Sequence, residues 1–109
     1  MTTNREAALE ASAKFLTQLI LRFGKLDCIF RQANFNSAYE CYLLFGNNDF
    51  NNNDVAIIVE FDDHGNGLYD VKKIHYSGHE EVLWVDGWIH EPIPEQVIEH
   101  FKKLFDGTL

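Results

Sequence analysis

Apolar positions recur at helical spacing near both ends of the chain and at alternate positions between them. From Asn4 to Phe23, Leu9, Ala13, Leu16, Ile20 and Phe23 fall on one stripe, widened by Phe15 and Leu19. That spacing predicts an amphipathic helix. Thr3 and Glu6 fit a capping box at its start, and Gly24 suits the left-handed position that closes a helix. A second stripe, Val97, Ile98, Phe101, Leu104 and Phe105, lies near the other end. Pro94 suits its first helical position, and Glu95 sits where the helix dipole favours an acid. Lys102 and Lys103 lie on the favourable side of the dipole at its end, and Asp106-Gly107 stops it.

Between the stripes the pattern is that of strands. Asp27 to Phe35, Val55 to Phe61, Leu68 to Tyr76 and Glu81 to Val85 are rich in β-branched and aromatic residues. The segment 62–67, DDHGNG, reads as a hairpin loop, and Ser77-Gly78 as a turn. Asp86-Gly87 is either a tight turn into Trp88-Ile89-His90 or a bulge in one long strand. Residues 37–46, SAYECYLLFG, have both a capping box (Ser37, Glu40) and an alternating set (Tyr39, Cys41, Leu43, Phe45). The β flanks favour a strand. The expected architecture is α+β: an N-terminal helix, an antiparallel β-meander of four to five strands and a C-terminal helix, with both helices on one face of the sheet.

At 109 residues the chain is expected to form a single domain, 1–109. Nine Phe, four Tyr and two Trp supply enough bulk for a packed core without staples. The two cysteines, Cys28 and Cys41, have no metal or redox spacing and read as thiols in a reducing compartment. No apolar leader stands at the start, and no apolar run reaches the roughly 18 to 20 residues that span a bilayer. A cytoplasmic location is therefore expected.

The net charge of −8 changes the picture. It argues against direct nucleic-acid binding, which needs clustered Lys and Arg, and against docking on an anionic membrane. The charge is also uneven. Between Gln32 and Val71 there is no Lys or Arg, while Glu40, Asp49, Asp54, Glu60, Asp62, Asp63 and Asp70 lie in that span. Such a segment either solvates one face or steers a basic partner.

Candidate chemistry adds little. Residues 49–60, DFNNNDVAIIVE, resemble an EF-hand loop: Asp49, Asn51, Asn53 and Glu60 stand at ligand positions. The turn glycine is replaced by Asp54, however, and a β-branched run follows where a helix belongs. A polar loop running into a strand is the better reading. His75, His79 and His90 could supply a zinc site, but Ser77-Gly78 breaks the helical spacing of the first two. The cysteines, Ser37 and Ser77 lack the context of an activated nucleophile. HGNG at 64–67 opens no helix, and Asp62-Asp63 lie on a loop with no apolar pocket to raise a pKa. No enzyme activity, metal or cofactor is expected.

The segment 83–92, LWVDGWIHEP, is aromatic. In a continuous strand Trp84 and Trp88 share one face, and Leu83, Val85 and Ile89 the other. Either set can be the buried one. Exposed Trp beside Tyr and acids marks protein interfaces. The leading expectation is thus a small inhibitor or immunity-type module that caps the active site of a basic, nuclease-like toxin or enzyme. Toxin-neutralising immunity proteins of bacteria share this general profile. Asp49, Asp54, Asp62, Asp63 and Asp70 would supply the charge, and Tyr69, Trp84 and Trp88 the anchors. Such a module works as a monomer or homodimer. The alternative is a small-molecule-binding domain whose aromatic pocket uses Phe30, Tyr42, Tyr76 and Trp84.

Overall fold

The computed structural model describes residues 4–24, 29–32, 41–46, 55–62, 66–75 and 77–107. Helix α1 spans Asn4–Phe23, followed by strands β1 (Ile29–Gln32), β2 (Cys41–Gly46), β3 (Val55–Phe61), β4 (Leu68–His75) and β5 (Glu80–Trp88), and by helix α2 (Glu95–Phe105). The five strands form one antiparallel sheet in sequence order. The ambiguous segment resolves as strand over Cys41–Gly46; its first four residues lie outside the described part. The same holds for Thr3 of the expected capping box and for the ends of the first strand. Gly24 closes α1 at φ 83°, its N–H bonded to the Ile20 carbonyl at 2.8 Å. Pro94 stands one residue earlier than expected, at the N-cap of α2.

Both helices cover one face of the sheet. Phe15 of α1 meets Tyr69 and Phe61 edge-on, with ring centroids 5.1 and 5.9 Å apart, and Phe101 of α2 meets Phe45 at 5.0 Å. Leu43, Phe45, Ile57, Val59, Phe61, Tyr69 and Val71 supply the sheet side of this core. Strand β3 is central in the order and accordingly buried along most of its length. The buried stripe of α1 is Ala8, Ala11, Ser12, Phe15 and Leu19, whereas Ala13 and Ile20 of the expected stripe are exposed. The shift has a packing cause: the small residues at 8, 11 and 12 let the helix approach the sheet and seat Phe15 at its centre.

The two helices are tied to each other and to the segment before α2. Phe23 and Phe105 stack edge-on at 4.9 Å, and Arg22 pairs with Glu95 at 2.9 Å. The Gln18 side chain accepts the Ile93 N–H at 2.8 Å and donates to the Glu91 carbonyl at 3.3 Å.

Neither described helix covers the other face of the sheet. Register puts Leu44, Ile58, Lys72 and Val82 in one row across it, and Tyr42, Glu60 and Asp70 in the next. Lys72 reaches diagonally to Glu60 at 2.7 Å; the pair holds the lysine protonated and raises its pKa, the hydrogen bond to Glu60 being the main cause.

Candidate functional site: the acidic end of the sheet

The pairing of β4 with β5 is interrupted twice. Lys72 faces Val82 but Val71 faces Trp84, and Tyr69 faces Gly87. Strand β5 therefore carries an extra residue at Leu83 and another opposite Asp70. Asp86 adopts a left-handed conformation at φ 53°, and its N–H is held by the Asp70 carboxylate at 2.9 Å. An aspartate tolerates this conformation better than most residues do. Asp86-Gly87 is thus a bulge in one long strand, the second of the two options open in the sequence.

The bulges decide the tryptophans. A continuous strand would place Trp84 and Trp88 on the same face. With one extra residue between them they face opposite ways. Trp84, opposite Val71, packs partly against the helix-side core. Trp88, opposite Leu68, lies on the helix-free side and is 46% exposed. Ile89 is buried, whereas Val85, expected on the same face as Ile89, is exposed.

Tyr69 is not a surface anchor. It is 2% exposed, pinned against Phe15, and its ring fills the space a side chain at residue 87 would need. That overlap explains the glycine. The Tyr69 hydroxyl is buried without a hydrogen-bond partner among the described residues. Burial, with a smaller contribution from the negative charge of Glu91, pushes its pKa up to about 12.

The acids divide. Asp49, Asp54 and Asp63 lie outside the described residues, as do Asn51 and Asn53 of the EF-hand-like segment. Its remaining member, Glu60, sits within β3 and is paired with Lys72. Asp62 and Asp70 come together with Glu60 and Asp86 around an open depression of about 280 Å³, with Leu68 in its wall. Asp62 accepts the Asn66 N–H at 2.9 Å, which fixes it at the mouth of the β3–β4 hairpin. Asp86 falls beyond the base-free span ending at Val71, so that charge run does not mark it. A signal existed: no Lys or Arg occurs from Ile74 to Phe101 either, a stretch holding Glu80, Glu81, Asp86, Glu91, Glu95 and Glu99.

The other constellations come apart. His75 and His79 flank the β4–β5 turn with ring centroids 5.4 Å apart, whereas His90 packs on Trp88 beyond the opposite end of β4. Among the described residues no three His, Cys, Asp or Glu side chains converge as metal ligands. Tyr42 and Trp84, two of the four residues of the alternative aromatic pocket, lie on opposite faces of the sheet; Phe30 and Tyr76 offer no described side chain. No helix among the described residues is long and apolar enough to cross a membrane. No family model matches the chain, and no curated protein or solved structure matches it either.

Proposed function

We propose that this chain is a protein-binding inhibitor of the immunity type, which neutralises a basic, nuclease-like toxin or enzyme by capping its active site. One observation carries the reading: Glu60, Asp62, Asp70 and Asp86 gather at the same end of the sheet as the outward-facing Trp88. An acidic rim beside an exposed aromatic is the arrangement that recognises a cationic groove. Charge sets the association rate and the aromatic sets the residence time. Tyr69 and Trp84 serve instead as supports behind it. The reading requires no chemistry by this chain.

Affinity capture from the host's own extract tests it. The tagged protein is washed at roughly 0.15 M and roughly 1 M salt, where the Debye length falls from about 8 to about 3 Å. The expected result is one stoichiometric basic protein retained through both washes. Replacing Asp62→Lys together with Asp63→Lys should then lower the association rate about tenfold or more and flatten its salt dependence. A clean lane from soluble, folded protein would remove the reading.

A further inference from the structure

Strand β5 ends the sheet order, so its outer edge has no neighbouring strand among the described residues. Natural edges of this kind are blunted by charged side chains, above all lysine, by proline or by bulges; this one has acids and bulges. It has no lysine or proline. It exposes three apolar side chains at even spacing: Val82 is 58%, Val85 60% and Trp88 46% exposed. The two bulges produce that row. Val82 and Trp88 lie on the helix-free face, and Val85 projects at the bulge between them. Exposed Glu80 and Glu81 precede Val82, exposed Asp86 lies between Val85 and Trp88, and no base lies within the strand.

We propose that the edge of β5 is a docking site for an extended basic segment of the partner, which adds to the sheet as a further strand. The proposal rests on the inhibitor reading and names the chemistry of its contact. The segment's backbone pairs with Glu80–Val82, the regular run before the first bulge. Its apolar side chains lie along Val82, Val85 and Trp88, and its alternate Lys or Arg side chains project to the helix side, where Glu81 lies. Main-chain hydrogen bonds supply affinity in this mode, and alternate side chains supply specificity. Charge decides the occupant. A second copy of this chain brings the same acids to the same edge and a net charge of −8 to the complex. A basic strand brings the opposite sign. The bulges also break the register that indiscriminate pairing would need.

The test uses a defined probe and the full chain: a nine-residue peptide alternating Arg and Val, titrated while backbone amide shifts are followed by NMR. The expected result is saturable binding with shifts concentrated at residues 80–88, and amides in 80–82 that exchange more slowly in the complex. Methylating alternate peptide nitrogens, which removes their donors, should weaken binding at least tenfold. Val82→Arg, at a position 58% exposed, should do the same, and a Glu–Val peptide should not bind. Equal binding of the methylated peptide would overturn strand addition, as would shifts centred elsewhere or no binding. Any of these, with a basic protein still captured from extract, would sink the edge proposal alone. An empty capture with peptide bound at β5 would sink the inhibitor reading instead.

Discussion

Tyr69 shows how a single residue sets a pH limit. Its ring is wedged between Phe15 and the backbone at Gly87, and its hydroxyl is buried with no partner among the described residues. Ionising that hydroxyl inside the protein is harder than in the unfolded chain, with pKa values of about 12 and 10.0. The neutral form is thus the one that favours the folded state. This contribution is fully present below pH 10 and is lost as pH rises through the folded value. Across that window the loss is on the order of 2 kcal/mol. Comparing wild type with Tyr69→Phe isolates it. At pH 7 the variant is expected to be as stable, or more stable by up to about 1 kcal/mol, because no hydrogen bond is lost. Between pH 10 and 12 the denaturation midpoint of the wild type should fall more steeply than that of the variant. Parallel curves would mean that the hydroxyl reaches water or a partner.

The elements were legible in the sequence where one local signal was strong. Helix α1 and strand β3 have the bounds that periodicity predicts, and Gly24 closes α1 as expected. What the pattern could not supply was phase. The stripe on α1 is displaced because small residues at 8, 11 and 12 fix how closely the helix sits, a property of the partner surface as much as of the helix. The face of Trp88 depends on an extra residue in β5, and only pairing with β4 reveals a bulge. The acidic site was half legible for the same reason. Charge runs mark Asp62 and Asp70 in the sequence, but register brings Asp86 to them. At this scale Gln18 is the critical link between α1 and the segment leading into α2. Truncating it leaves the N–H of the buried Ile93 without an acceptor. Gln18→Ala is expected to cost about 1 to 3 kcal/mol. It should lower the urea midpoint with an unchanged slope, and the Ile93 amide should exchange faster relative to those of β3. Unaltered exchange at Ile93 would show that another group holds that segment.

At the scale of the whole molecule, two features oppose each other. Strand β5 bares Val82, Val85 and Trp88 along an edge that no described strand pairs, the kind of surface through which sheets associate. The net charge of −8, with Glu80, Glu81 and Asp86 on that strand, opposes the approach of a second copy. Repulsion is long-ranged and screened by salt, whereas apolar contact is short-ranged and is not. Raising the salt from roughly 0.05 M to roughly 1 M shortens the Debye length to about 3 Å and removes most of the repulsion. Self-association is therefore expected to appear at high salt and vanish at low salt, read by sedimentation velocity at a fixed protein concentration. Val82→Lys, which replaces one of the apolar groups, should keep the protein monomeric at both salts. If the wild type is monomeric throughout, the bulges alone disarm the edge. If it is dimeric even at low salt, charge does not govern the edge. The acids of β5 would then have to be explained without reference to keeping the strand open for a basic partner.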